Sequence, residues 1–421
     1  MILEFKVQNY LSFKDEATFS FEATADKTLE DYYIKEINGT RIMKLAMVYG
    51  ANASGKSNIV SAFEFVRKVI FSTKENRDES TGFLPFQFGD QKKKPGIFEI
   101  VFFVNNVKYV YSLTIDEQII HGEKLAYYPG TQPALIFERY YDKKNGASVL
   151  KTGSKIRLSN TAKEQLELKL LRNMSFFAAY NQLNLTVETI ENVLNWFKNN
   201  FLTPITPKTD LTNYTNKQVY ENEKMRNFAL EFLSKADFNI SDIIFTEEEK
   251  KLDSEILNII KKSDKIPEEE KERVLAEKSI KLKNLLFEHT VEQGKYQLSD
   301  QLQSDGTMRY YGLSAPIMKM LDQNSFLAVD EIDDSLHPEL IAHLVQTFLR
   351  ESDQAQLLFT THNTSLLNEK DLLRKDAIWF TDKDKDGNTD LYSLADFNFR
   401  KELSWYNAYK IGKFGGVPNL D

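Results

Sequence analysis

The sequence predicts an α/β fold in which a parallel sheet carries helices on both faces. The main observation is the alternation after residue 295, where an apolar strand at 325–329 is followed by a helix at 338–350 and a second apolar strand at 357–359. Strands that are apolar throughout are typical of parallel sheets that are buried on both faces.

A second observation is a glycine-rich loop between a strand and a helix. Residues 45–49 read as an apolar strand, and Ile59, Ala62, Phe63, Val66 and Ile70 recur at helical spacing further along the chain. The segment between them, GANASGKS at 50–57, fits the pattern GxxxxGK[ST] without a mismatch. The strand on one side and the helix on the other are the context in which this pattern binds phosphate.

The first half of the chain predicts an antiparallel β lobe, so the whole sheet system is mixed. Strands at 97–103 and 108–115 are joined through Asn105 and Asn106, and asparagine tolerates the left-handed backbone of a tight hairpin turn.

From about residue 160 the period of the sequence becomes helical. Residues 247–289 are dense in Lys and Glu with a break at 263–267, so we expect a solvated helical hairpin there. A short coiled coil or a partner-binding arm is the alternative.

The composition sets limits on the class of protein. The 421 residues are 42% hydrophobic and 28% charged, which predicts a globular chain of one or two domains. No apolar run reaches the roughly 18 to 20 residues of a membrane span, and the opening MILEFKV carries Glu4 and Lys6, unlike a signal peptide. We therefore expect a cytoplasmic protein with no membrane partner.

Residue usage also excludes several chemistries. The sequence has no cysteine and five histidines, which removes disulfides, thiolate nucleophiles and cysteine zinc sites. A net charge of −8 argues against wrapping nucleic acid by bulk charge, although a local basic strip remains possible.

The glycine-rich loop is the strongest functional signal. Its two glycines let successive backbone N–H groups face phosphate oxygens, the lysine reaches the β and γ phosphates, and the serine hydroxyl is a suitable ligand for Mg²⁺. We expect ATP and Mg²⁺ as cofactors. The nucleotide-binding residues predicted here are Gly50, Asn52, Ala53, Ser54, Gly55, Lys56, Ser57 and Asn58, with Ser57 also on the metal.

An acidic strand end supports a hydrolytic reading of this loop. The apolar strand at 326–329 ends in Asp330 and Glu331. Beside a phosphate loop, this pattern predicts that Asp330 binds Mg²⁺ through water and that Glu331 is the general base for an attacking water. Alone, an acidic turn after a strand would be an ordinary feature.

Two further segments suit phosphate contacts. The apolar strand at 357–359 leads to His362, which could lie in the turn of the neighbouring strand and touch the γ-phosphate. The segment at 304–307 opens a helix, and Ser304 and Asp305 are good N-caps in any protein. The functional alternative is that this helix start binds the γ-phosphate of a second molecule. Its residues are Ser304, Asp305, Gly306 and Thr307.

Other signals are discounted. The segment DKDKDG at 382–387 imitates an EF-hand, but the twelfth position is Ser393 where a bidentate Glu is needed, so we expect a surface hairpin. Lysines at 92–94 and between 271 and 283 are expected to be solvated.

Taken together, these motifs carry a family resemblance. The order of GANASGKS, QSDGT, FLAVDE, SLHP and TTHN resembles the ABC-type ATPase heads of SMC, RecF and OLD-family proteins, and the opening LEFKVQNYLSFKDEATFSF is similar to their first strands. The likeness covers 1–90 and 287–421, and the middle only by pattern. The QSDGT wording in place of LSGGQ, the DSLHPEL segment and the closing YKIGKFGGVPNLD most resemble stand-alone AAA-family ATP-binding proteins of bacterial abortive-infection and phage-defence systems, of the AbiL, RloA and PARIS ATPase type.

The resemblance implies a P-loop NTPase of ABC-ATPase type, with a head formed by 1–160 and 287–421 and a helical insertion at 161–286. It implies that 304–307 is the signature, 335–338 the D-loop and His362 the switch histidine. No glutamine loop is obvious, and Gln87 is the candidate for it and for a metal contact. No long coiled coil with a hinge is present, which puts a chromosome-tethering role in doubt.

The leading hypothesis is an ATPase switch that dimerises head to head, or forms a higher oligomer of such dimers, and controls a separately encoded effector, a nuclease or toxin. The alternative is a DNA-repair or DNA-clamping ATPase like RecF or SMC, so DNA is a possible partner. A metabolite kinase is poorly supported, since the signature and switch histidine would then have no purpose.

Overall fold

The computed structural model describes residues 1–417 except positions 155, 157, 237, 263–267, 293, 401 and 402. The predicted break at 263–267 and the last four residues of the tail lie outside the described residues. Contacts divide the chain into two compact units, Met1–Thr209 with Lys319–Asp421, and Asp210–Met318.

A five-stranded sheet forms the centre of the first unit. Its spatial order is β14-β15-β5-β16-β17, and the first four strands run parallel while β17 runs antiparallel to β16. Every residue of β5, β14 and β15 is buried, as expected for a parallel sheet covered on both faces. The bounds are β5 (Leu45–Gly50), β14 (Phe326–Val329), β15 (Gln356–Thr360), β16 (Ile378–Lys383) and β17 (Thr389–Ser393).

A seven-stranded antiparallel sheet with the order β10-β9-β8-β7-β6-β1-β2 forms the predicted β lobe. The predicted hairpin is confirmed, because Asn105 and Asn106 both have positive φ (48° and 63°) in the turn between β6 and β7. The bounds are β1 (Ile2–Gln8), β2 (Ala17–Ser20), β6 (Gly96–Val104), β7 (Val107–Ile115), β8 (Ile120–Tyr128), β9 (Ala134–Asp142) and β10 (Ala147–Thr152), and a separate hairpin pairs β3 (Ile34–Ile37) with β4 (Thr40–Met43).

The helix after the glycine-rich loop packs between these two sheets. Phe63 on this helix stacks on Phe5 of β1 with ring centres 4.0 Å apart, and lies 4.9 Å from Phe326 of β14. Aromatic burial on both sides therefore fixes the helix and the loop that precedes it. The helices of the first unit are α1 (Glu30–Tyr33), α2 (Lys56–Phe71), α3 (Asn160–Lys169), α4 (Phe176–Tyr180), α5 (Glu188–Asn199), α11 (Pro338–Glu351) and α12 (Trp405–Lys410).

Helices α3 to α5 fall in the first unit, whereas the predicted insertion began at residue 161. Their aromatic residues explain this difference. Phe176 stacks on Phe137 of β9 at 3.8 Å, and Trp196 stacks on Phe102 of β6 at 4.4 Å. These helices bury their apolar faces on the antiparallel sheet, so the compact second unit begins only at Asp210.

The second unit combines helices with a three-stranded antiparallel sheet of order β11-β12-β13. Its core contains Phe232 stacked on Tyr310 at 4.2 Å and Phe287 against Tyr311 at 5.2 Å. The bounds are α6 (Leu211–Glu221), α7 (Glu223–Ser234), β11 (Ile240–Lys251), α8 (Ser254–Lys262), α9 (Glu268–Glu277), β12 (Ser279–Val291) and β13 (Gly294–Ser299), and α10 (Asp305–Asp322) crosses the boundary between the units along the chain.

The expectation of a purely helical segment over 161–286 is wrong where β11 and β12 form. These strands pair antiparallel, with Ile243 opposite Phe287 and Phe245 opposite Leu285. The Glu and Lys residues of the segment favour helix locally, but burial of the alternating apolar residues favours the strand. Within 247–289, α8 and α9 at the far end of this hairpin agree with the predicted helical hairpin, and α3 to α7 agree with the helical prediction earlier in the segment.

Within the described part of the chain, no helix has the length and apolar character needed to cross a bilayer.

Candidate functional site

The glycine-rich loop connects β5 to α2 as predicted. Gly55 is the residue before α2 and has φ +111°, a backbone conformation that favours glycine. A side chain at Gly55 would collide with Thr389, and one at Gly50 would collide with Thr381. Both glycines of the motif are therefore required by close approach of neighbouring strands.

A hairpin on one side supports the loop. Thr381 of β16 shares a hydrogen bond of 2.6 Å with the Ser54 hydroxyl, and the Thr389 hydroxyl of β17 donates to the Ser54 carbonyl at 2.8 Å. The Ser12 hydroxyl shares a hydrogen bond of 2.7 Å with the Thr389 hydroxyl and accepts from the side-chain amide of Asn58 at 2.6 Å. The predicted residues Ser54 and Asn58 thus hold the loop in shape from behind.

Lys56 is buried at the start of α2 and turns back over the loop. Its ammonium donates to the carbonyls of Gly50 at 2.8 Å and Ala51 at 2.9 Å. Burial lowers the pKa of Lys56 from its ordinary value of 10.5 to about 8, although the carboxylates of Glu331, Asp330 and Asp333 act to raise it. The ammonium is thus poorly solvated, and an anion placed in the loop would stabilise its charged form.

A cavity of about 860 Å³ lies over the loop. It brings the predicted loop residues together with both predicted catalytic residues, which come from the ends of β14 and β15. Its lining consists of Asn52, Ala53, Gly55, Lys56, Ser57, Asn58, Glu331, His362 and Lys383.

The acidic strand end is held by a hydroxyl on the neighbouring strand. The Thr360 hydroxyl donates to Asp330 Oδ1 at 2.6 Å and accepts from the Glu331 N–H at 2.8 Å. Asp330 is buried behind the cavity, and Glu331 has φ +49°, a conformation that a residue with a side chain rarely adopts. This local geometry turns the Glu331 carboxylate into the cavity, and strain of this kind is frequent at functional sites.

His362 faces Glu331 across the ends of β15 and β14. Its Nε2 lies 3.7 Å from Glu331 Oε1, and its backbone N–H donates to Asp333 Oδ2 at 3.1 Å. Because the carboxyl ends of parallel strands meet at one edge of a sheet, these side chains converge there. His362 therefore lies in the turn after the strand next to β14, as the sequence predicts.

The described residues fit a magnesium nucleotide. Ser57 lines the cavity, and Asp330 retains lone pairs beyond the one used by Thr360. Mg²⁺ keeps several waters and takes other ligands from phosphate, so one hydroxyl and one carboxylate are sufficient protein partners. No cluster of three His, Cys, Asp or Glu that could hold a metal ion occurs among the residues described.

Gln87 and the signature residues are not among those that line this cavity. The Gln87 amide donates to the Pro85 carbonyl at 2.8 Å, and Gln87 is not among the lining residues, so nothing in the geometry supports its metal role. The signature segment belongs to the second unit, where the Ser304 hydroxyl accepts from the Thr307 N–H at 3.1 Å and caps α10. Asp305 and Gly306 begin that helix, as predicted.

Sequence reasoning missed three residues of the site. Thr360 and Asp333 were overlooked because hydrogen bonds across neighbouring strands have no fixed sequence spacing. Lys383 lies in the segment that imitates an EF-hand, and for that reason no function was predicted for it. In the structure this segment is the expected hairpin between β16 and β17. The only sequence signal for Thr360 was its place at the end of an apolar strand beside the acidic one.

A family model described as "AAA domain, putative AbiEii toxin, Type IV TA system" matches residues 45–173 and 189–368. No curated protein matches the sequence.

Solved structures resemble the fold at low identity. The SMC head domain from Thermotoga maritima is 15% identical with a TM-score of 0.42, and the match covers 93% of this chain and 98% of that one. An SmcHead bound to the C-winged helix domain of ScpA is 13% identical with a TM-score of 0.42, covering 97% and 99%. An Smc head with an extended coiled coil, bound to a ScpA domain derived from Pyrococcus furiosus, is 13% identical with a TM-score of 0.37, covering 98% of each chain.

The family model alone matches more than half of the chain, from the strand before the glycine-rich loop to the segment after His362. The α/β phosphate-loop fold and the matched family agree with the resemblance to ABC-type ATPase heads. The protein therefore belongs to the AAA-domain family described as putative AbiEii toxin of type IV toxin–antitoxin systems.

Proposed function

We propose that this protein is an ATP-hydrolysing switch that dimerises head to head, with ATP at the interface, and controls a separately encoded effector in anti-phage defence. The observation that carries the ATPase part is the shared cavity, in which the loop lysine, Glu331 and His362 converge. Membership of an AAA family supports nucleotide hydrolysis in general terms.

Each residue has a defined task in the proposed reaction. Lys56 binds the β and γ phosphates and exchanges its carbonyl partners in the loop for phosphate oxygens. Ser57, and Asp330 through water, would hold Mg²⁺, which neutralises the charge that develops on the phosphates. Glu331 takes the proton of the attacking water, and His362 contacts the γ-phosphate beside it.

The dimer is proposed from the signature segment. The first turn of α10 carries backbone N–H groups that lack intrahelical partners, and Asp305 and Gly306 are its first two residues. Such a helix start favours an anion. In the proposal this segment contacts the γ-phosphate bound by a second copy of the chain.

The effector is proposed from the resemblance to phage-defence ATPases, and the family description, which names a putative toxin, supports a defence role. That description would also allow the toxic activity to reside in this chain. A cytoplasmic location is part of the same proposal. A DNA-clamping ATPase remains the alternative, and salt-sensitive DNA binding by the purified protein would favour it.

Phosphate release by the purified full-length protein tests the proposal. We expect ATP hydrolysis by the wild type and none above background by Lys56→Ala. Lys68→Ala is the matched control, because Lys68 lies on the same helix, is exposed and pairs with Glu64. Hydrolysis by Lys56→Ala at the wild-type rate would remove the loop from the site.

A further inference from the structure

Lys383 is a second lysine in the nucleotide cavity, and the motifs described above do not account for it. It is the last residue of β16 and lines the cavity with the loop residues. β16 and β15 pair with opposite edges of β5. Lys383 and His362 therefore approach the loop from opposite sides. The cavity therefore has a carboxylate and an imidazole on one side and an ammonium on the other.

The Lys383 side chain has no partner among the residues that the structure describes. Its backbone N–H donates to Asp382 at 2.9 Å, but its ammonium makes no hydrogen bond or ion pair there. By contrast, Lys14 on the neighbouring loop pairs with Asp386 at 3.4 Å. Lys383 is thus an unengaged cation at the edge of an anion-binding loop.

The C-terminal segment fixes the strand end that carries Lys383. The Asp382 carboxylate accepts from the Gly416 N–H at 3.1 Å, and the Tyr409 hydroxyl donates to the Gly416 carbonyl at 2.7 Å. Gly416 is packed so closely that a Cβ there would lie 3.1 Å from the Thr381 carbonyl oxygen and 3.4 Å from the Gly50 Cα. The tail therefore connects the end of β16 to the first glycine of the phosphate loop.

We propose that Lys383 is a second phosphate-binding cation of the nucleotide site, held in register with the loop by the C-terminal segment. This inference rests on the proposed function and extends it to a residue outside the recognised motifs. A flexible ammonium near the polyphosphate adds attraction that depends on salt, since its partner would be an exposed anion.

A different role for Lys383 would be to offset the acidic residues of its own hairpin. Asp382, Asp384 and Asp390 lie within a few residues, and burial together with the charges of Asp384 and Asp382 raises the pKa of Asp390. Under that role, loss of the ammonium would lower the stability of the hairpin and leave nucleotide affinity unchanged. The two roles therefore give opposite experimental outcomes.

The test is titration of full-length Lys383→Gln with a fluorescent ATP analogue at low and moderate salt. We expect affinity to fall about three- to tenfold at low salt, a change typical of one exposed charge pair on phosphate, and the salt dependence to become shallower. Lys383→Arg should retain affinity, because it retains the charge. Lys385→Gln is the matched control, since Lys385 is in the same turn but does not line the cavity.

Unchanged affinity in Lys383→Gln, with or without a lower melting temperature, would overturn the inference. Lys56→Ala, titrated in parallel, separates this failure from failure of the proposed function. Loss of binding in Lys56→Ala together with normal binding in Lys383→Gln would contradict only the role of Lys383. Normal binding by Lys56→Ala would contradict the nucleotide site itself.

Discussion

Lys56 is subject to two opposing effects in the free protein. Burial disfavours its charged form, while the neighbouring carboxylates favour it, and the balance lowers its pKa to about 8. Here the ammonium loses its proton within an accessible pH range, so its charge becomes a measurable property of the site.

Nucleotide affinity should therefore be constant near pH 7 and weaken above about pH 8, by up to tenfold per pH unit, because only the ammonium binds phosphate. The affinity should stop falling at the pKa of Lys56 in the nucleotide-bound protein, which is higher because phosphate stabilises the ammonium. Titration of ATP between pH 7 and pH 9.5 checks this expectation. Constant affinity over that range would show that Lys56 stays charged without phosphate.

Loss of folding stability through Lys56 would not explain a fall of nucleotide affinity at high pH. The pKa of Lys56 is lower in the folded protein than its ordinary value of 10.5, so between about pH 8 and 10.5 the unfolded chain binds more protons. Stability contributed by this group therefore rises with pH in that window. A melting curve at each pH separates the two quantities.

Glu331 combines a strained backbone with a side chain in the cavity, and its carboxylate is the proposed general base. Glu331→Gln should bind ATP as the wild type does but hydrolyse it at least about 100-fold more slowly, because the base is lost. Light scattering with ATP should then detect an accumulated dimer. Glu351→Gln, an exposed change at the end of α11, should behave as the wild type. Normal turnover by Glu331→Gln would exclude the base assignment.

At the scale of the elements, the sequence correctly predicted the strands whose residue pattern agrees with their position in the buried sheet. β5, β14 and residues 357–359 of β15 are apolar and are followed by the glycine-rich loop or by polar residues, so both the strand type and the functional ends could be predicted directly. The Thr360 hydrogen bonds that orient the acidic pair depend on register between strands far apart in sequence. No pattern within one strand contains that information.

β11 and β12 illustrate the opposite case. Their outer halves are rich in Glu and Lys, whereas buried apolar residues of both strands lie near Ile243 and Phe287, where the strands enter the core of the second unit. A few buried pairs thus set the conformation of a longer, exposed hairpin whose own residues favour helix. The prediction failed because the deciding contacts lie at one end of the segment.

The exposed end of this hairpin should be dispensable for folding and ATP hydrolysis. Removal of 246–284, with an Asn-Gly turn joining Phe245 to Leu285, uses a pair that lies directly opposite and keeps the buried residues Ile243 and Phe287. α8 buries none of its residues, and Val274 is the buried apolar side chain removed from the described part of α9, so little core packing is lost. We expect a normal melting transition and ATPase rate but impaired coupling to an effector. Loss of the folded protein would show that the segment is part of the core.

At the scale of the whole molecule, the proposed reaction needs residues from two places in the sequence. Lys56, Glu331 and His362 line one cavity in the first unit, and the signature at 304–307 belongs to the second. If the signature completes the site of another copy, one isologous dimer contains two identical composite sites. Hydrolysis would then remove the phosphate that both copies contact and favour opening.

Mixing two inactive variants tests this arrangement. Lys56→Ala lacks the phosphate-loop charge, and Gly306→Asp places a carboxylate at the helix start, so each homodimer should be inactive. A heterodimer contains one site built from the intact loop of one copy and the intact signature of the other. Random exchange makes half of the dimers mixed, so activity should recover to roughly a quarter of wild type.

Lys56→Ala mixed with Glu331→Gln is the matched control, because both changes affect the same half of the site and no intact composite forms. Recovery only in the first mixture would establish catalysis across the dimer, and absence of recovery in a mixture shown to contain heterodimers would contradict it.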